Sequence, residues 1–143
     1  MQLSRNEVHV EDEQDDPGAA TVVLDVPVDS RSLRLLRLAA ADAAATAGHD
    51  VDRVETSRLV MDELASVLLG TGGAGRMRIS ITRGEGGVLL FQGSLSQAPE
   101  ASVELDFIVK ELLDASIGRP SWSFEDGADG PRFRAEVAPR RAS

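Results

Sequence analysis

Residues 52–69, DRVETSRLVMDELASVLL, decide how the chain is read. Val54, Met61, Leu64 and Leu68 recur at helical spacing, and Gly70 follows directly. The pattern predicts an amphipathic helix with one stripe toward a core, stopped at the glycine. Leu59, Glu63 and Val67 make a second line at i, i+4 and i+8, which sets one carboxylate among apolar neighbours. Such a carboxylate is either a solvated edge residue or part of a ligand-facing wall.

Upstream, Thr21 to Val28 (TVVLDVPV) is a β-branched run that predicts a strand, with Pro27 marking an edge or an end. Asp29 or Ser30 can cap a helix over 31–47, and Gly48 is its stop. Leu33, Leu36, Ala40 and Ala44 form its expected buried stripe. Arg31, Arg34 and Arg37 follow at three-residue intervals, and Leu35 and Leu38 add apolar surface beside them. Exposed arginines next to spare leucines are interface chemistry, although the same residues also suit a solvated face. Asp50 or Asp52 can cap the helix over 52–69.

Downstream, Gly70 to Gly75 (GTGGAG) is a loop without the Lys-Ser/Thr of a phosphate cradle, and it follows a helix rather than preceding one. Residues 76–83, RMRISITR, alternate in the manner of a strand, and 84–87 predict a hairpin turn into a strand over 88–95. Ser102 can cap a third helix over 103–117 with Leu105, Ile108, Val109, Leu112 and Ser116 inward. Gly118 and Pro120 end it. Two strands, 121–124 and 131–137, surround a DGADG turn. The expected fold is α+β: a two-layer sandwich whose mixed β-sheet is covered on one face by three helices. The expected organisation is a disordered acidic tail over 1–20, one domain over 21–137 and a loose basic tail over 138–143.

The chain has 143 residues and a net charge of −9. Six carboxylates within the first twenty residues stand against Arg5 alone. A negative chain with four Phe, one Trp and no Tyr is a poor match for nucleic-acid binding. With no Cys and two His, thiol chemistry and Cys- or His-rich metal sites are excluded, so no metal site is expected. No run is apolar enough to span a membrane and no apolar leader opens the chain, so a cytoplasmic location is the expectation.

The order strand, helix, helix, strand, strand, helix, strand, strand resembles that of the Bergerat-fold (GHKL) ATPases. Within that superfamily the chain resembles the small bacterial anti-sigma factors that are also serine-protein kinases. The likeness runs over about 21–137 and is carried by LRLLRLAAADAAATAG, LVMDEL and LDFIVKELLD. It implies transcription regulation in stress responses, a sigma factor or an anti-sigma antagonist as partner, and a homodimer. It also implies that the first helix faces partners, through Arg37 with Arg31, Arg34, Leu35 and Leu38 around it.

The chemistry that the resemblance implies is altered at each of its three positions. In the family's Glu-x-x-x-Asn motif the Glu acts on the attacking group and the Asn ligates magnesium. Glu63 matches, but Val67 stands at the Asn position and offers no lone pair. The adenine-binding Asp-x-Gly-x-Gly is replaced by FQGSLSQAP, with no Asp between Glu85 and Asp106. The glycine-rich lead-in to the last helix is replaced by SVELD, whose Glu104 and Asp106 would meet phosphate with like charge. The implied pocket, with Glu63, Val67, Ser94 and Phe107 around it, is therefore expected to be degenerate, and no cofactor is expected. Glu63 remains as a vestigial base candidate. The competing expectation is an ATP-binding serine-protein kinase that keeps Mg-ATP, and a third is an unrelated ligand-binding α+β domain.

Overall fold

A computed structural model describes residues 8–16, 19–70, 75–95, 105–119, 121–127 and 130–140. Strands β1 (His9–Asp16) and β2 (Ala19–Pro27) form a hairpin. Helices α1 (Ser32–Thr46) and α2 (Val51–Leu69) follow, then strands β3 (Arg76–Arg83) and β4 (Leu89–Leu95). Helix α3 (Phe107–Ser116) leads to the closing strands β5 (Trp122–Gly127) and β6 (Gly130–Val137). The sheet order is β1-β2-β3-β4-β6-β5. The fold is the expected two-layer α+β sandwich, with one correction: every pairing is antiparallel, so the sheet is not mixed. The connection through α1 and α2 joins the neighbours β2 and β3, and the connection through α3 from β4 to β5 spans β6, which runs the other way.

The second correction concerns the segment expected to be a disordered tail. Residues 9–16 pair with β2 from His9↔Asp25 to Asp16↔Ala19, with an irregularity after Glu13. A side-chain argument missed it because an edge strand needs only one neighbour's backbone ladder. Charge along such an edge also discourages further pairing.

Alternation sorts the sheet into two faces. Leu24, Val26, Met77, Ile79, Ile81, Leu89, Phe91, Leu95, Phe133, Ala135 and Val137 are buried toward the helices. Arg76, Arg78, Ser80, Gln92, Ser94, Arg132 and Arg134 lie on the alternate, open face, where Arg76 bonds Asp25 at 2.6 Å. Leu36, Ala40 and Ala44 of α1 and Met61, Leu64 and Leu68 of α2 meet the covered face, as their spacing predicts. Among the described residues, twenty buried side chains form this one cluster, which gives the helices a fixed platform. Among the described residues no helix is long and apolar enough to cross a membrane.

The caps explain the helix boundaries. Asp50 accepts from the Arg53 N–H at 2.9 Å and starts α2. Gly48 ends α1 with φ of +85°, a conformation that glycine reaches without a Cβ penalty. Helix α3 starts later than the expected Ser102 cap, because Asp106 caps it instead, accepting from the Ile108 N–H at 2.9 Å. The expected inward face of α3 is also corrected. Leu113 is its fully buried residue, whereas Ile108 is 69% exposed. Arg53 explains the difference, because it donates to Ser116 O and Ala138 O, and Trp122 Nε1 donates to Asp114 at 2.8 Å. These bonds pin the C-terminal half of α3 and leave its first turn standing out.

Candidate functional site

Two regions answer to the sequence expectations: the outer face of α1, and the junction of α2 with the start of α3. On α1 the expected arginine line divides. Six residues advance a helix by about 600°, so Arg37 cannot share a face with Arg31. Arg37 turns toward α2 and meets Asp62 at 3.5 Å. Arg31 is exposed and clasps Asp29, its Nη2 lying 2.8 Å from Oδ2. Hydrogen bonds from the Arg31 guanidinium and backbone N–H hold the Asp29 carboxyl down at about 2. Arg34 is exposed and makes no ion pair among the described residues. Leu38 is 55% exposed and Leu35 half-buried. Arg31, Arg34, Leu35 and Leu38 thus form one patch, and Arg37 belongs to the α1–α2 seam.

At the other region, Glu63 and Val67 lie one turn apart on α2, both half-buried. Burial pushes the Glu63 carboxyl above its ordinary value, and the neighbouring Asp62 charge adds to the shift. Ser94 is not brought to them. It pairs with Arg78 and Arg132 across the strands and so lies on the open face, away from the helices. Phe107 sits at the first turn of α3, 72% exposed. The expected pocket set is therefore dispersed: two residues on α2, one exposed side chain at α3, and one on the far side of the sheet. Glu104 lies outside the described residues.

The residues do not fit a magnesium nucleotide at these positions. Val67 cannot ligate a cation. The Asp106 carboxylate already takes up an amide at the α3 N-terminus, where a phosphate would otherwise sit. Gly93 of β4 offers a backbone without a side chain, but that space is filled from within. A Cβ there would lie 2.6 Å from Phe133 Cζ and 2.7 Å from Ile79 Cδ1. Sequence reasoning had no means of seeing this, since Phe133 is forty residues downstream. No group of three or more His, Cys, Asp or Glu side chains is gathered among the described residues.

Sequence reasoning also missed a feature beside the α1 patch. A cleft of about 400 Å³ has Val8, Pro27, Ser32 and Leu35 in its wall, and a second of about 300 Å³ has Ala20, Val22, Ala39, Asp42 and Thr46. The first lies between the start of α1 and the end of β2, with Asp29 and Arg31 also in its wall, and the second reaches across β2 to Ile81 and Arg83 of β3 and Leu89 of β4. The spacing 32, 35, 39, 42, 46 could have announced this seam, but its small and polar residues did not read as a stripe.

Compared with known proteins, the chain matches no family model and no curated protein sequence.

Proposed function

We propose that this chain is a non-catalytic regulatory module, an anti-sigma-factor-like protein that docks a sigma factor or its antagonist through α1. The observation that carries the reading is the patch of exposed Arg31, Arg34 and Leu38 with half-buried Leu35, which sets the Arg34 guanidinium, without an ion pair among the described residues, beside uncovered apolar surface. Interfaces are enriched in that combination, because arginine forms directional bonds while leucine removes area from water. The sequence resemblance supplies the partner class. The dispersal of Glu63, Val67, Ser94 and Phe107 supports docking over phosphoryl transfer.

The test is capture of purified sigma factors and antagonist proteins by immobilised chain. Arg34→Glu with Leu38→Asp should abolish capture while the melting temperature stays within about 2 °C, since both side chains are exposed. Undiminished capture removes the patch from the account.

A second reading, a nucleotide-binding serine-protein kinase, is favoured by one observation only. The raised Glu63 carboxyl is the kind of perturbation that a general base shows. Its test is nucleotide-dependent stabilisation, which the docking reading expects to be absent.

A further inference from the structure

Strand β3 turns Met77, Ile79 and Ile81 toward the helices, and all three are buried in the core. The next position of the same parity is Arg83. It pairs with Ala20 on one side and with Leu89, a core residue, on the other, so it belongs to the helix-bearing face. Arg83 is half-buried there, and its guanidinium has no ion pair or side-chain hydrogen bond among the described residues. It lines the cleft of about 300 Å³ between α1 and the sheet. Val22, Ile81 and Leu89 make the floor of that cleft, and Ala39 and Ala43 keep its α1 wall low. Asp42 and Thr46, one turn apart on α1 and both exposed, stand at its rim. Asp42 likewise has no ion pair among the described residues, so two opposite charges face one cleft without closing on each other.

We propose that this cleft binds a free α-amino acid with an aliphatic side chain. The two charges select the head group. A carboxylate meets the Arg83 guanidinium in a two-pronged, charge-assisted pair, and an ammonium meets Asp42, with the Thr46 hydroxyl beside it. A ligand with one charge alone satisfies one side chain and meets its own sign at the other. A fatty acid is therefore disfavoured by Asp42 and an amine by Arg83. An α-amino acid carries both charges on one carbon, and its side chain leaves that carbon toward Val22, Ile81 and Leu89. The lining selects the side chain. It is aliphatic and alanine-rich, with no aromatic ring among its described residues, and about 300 Å³ lies at the small end of ligand sites. The arginine at an inward position points the same way. A half-buried cation without a partner costs free energy that a bound carboxylate returns. The assignment does not rest on the docking reading of α1, whose patch uses other residues.

Titration of the purified chain with L-leucine, followed by amide shifts in NMR, tests this. Saturable binding is expected by about 10 mM, with shifts centred on 20–22, 39–46, 81–83 and 89. Three analogues each lack one feature: 4-methylpentanoate has no ammonium, 3-methylbutylamine has no carboxylate, and glycine has no side chain. Each should bind at least about tenfold more weakly than leucine. Asp42→Asn should weaken leucine and strengthen 4-methylpentanoate, because the repelling charge is gone. Arg83→Gln should weaken leucine and strengthen 3-methylbutylamine for the same reason. Asp42 is exposed, so its variant keeps the test open even if Arg83→Gln does not fold. The proposal is overturned by no saturable leucine binding at about 10 mM. It is also overturned by any analogue binding within about tenfold of leucine, or by leucine binding that Asp42→Asn leaves unchanged.

Discussion

Replacing Gly93 with alanine probes what the glycine of β4 is for. Its missing side chain is occupied by the Phe133 ring and by Ile79, at 2.6 and 2.7 Å from where a Cβ would stand. Both neighbours are buried in the main core cluster, so neither can swing away into solvent. Overpacking of this kind costs about 1–3 kcal/mol. Removing a glycine from a strand returns about 0.5–1 kcal/mol through the unfolded chain. The loss wins, and a chain of this size should melt roughly 2–8 °C lower. Thermal denaturation of Gly93→Ala, Phe133→Leu and the double variant measures it. Shortening the ring should relieve the clash, so the double variant should be more stable than additivity predicts by about 0.5 kcal/mol or more. Additive losses, or a Gly93→Ala variant as stable as the parent, would refute the packing argument and return the space beside Gly93 to a ligand.

Other outcomes follow from the same contacts. The Glu63 carboxyl is raised in the folded chain, so the folded state holds the extra proton and stability falls as pH rises from the ordinary carboxylate value. Glu63→Gln should flatten that fall and melt higher than the parent at neutral pH, whereas an unchanged pH profile would contradict the burial argument. Asp29 is held low by Arg31, so its contribution is present at neutral pH and is lost only as pH drops toward about 2. Arg31→Ala should remove that contribution and move the Asp29 titration, followed by NMR, up toward the ordinary carboxylate range. Asp106→Ala removes the α3 cap and should cost about 1 kcal/mol, read as faster amide exchange in the first turn of α3. Ser57 Oγ is buried without a partner among the described residues, so Ser57→Ala should be neutral or stabilising in a thermal melt.

The sequence made the helical stripes and the central strands legible because each is written in local periodicity. Met61, Leu64 and Leu68 point inward because one face of α2 is apolar, and 76–83 alternate because Met77, Ile79 and Ile81 share one side. What was not legible depends on partners distant in sequence. β1 exists through backbone pairing with β2, which its acidic side chains do not advertise. The run FIVKELL is apolar around most of α3, so periodicity could not say that Leu113 rather than Ile108 is buried. Arg53 and Trp122 decide it. On α1, Arg37 and Arg31 looked aligned only because three-residue steps were followed too far, and Asp62 shows where Arg37 goes. The resemblance implies Ser94 as a pocket residue, yet Ser94 lies within β4 and its strand parity sends it to the open face.

On the proposed reading, α1 docks a protein and the α2–α3 junction holds no magnesium nucleotide. The most direct measurement is a thermal scan of the purified chain with and without millimolar Mg-ATP. The account predicts superimposable melts. A saturable rise, up to about 2.7 kcal/mol at a hundred times the dissociation constant and abolished by Glu63→Ala, would contradict it.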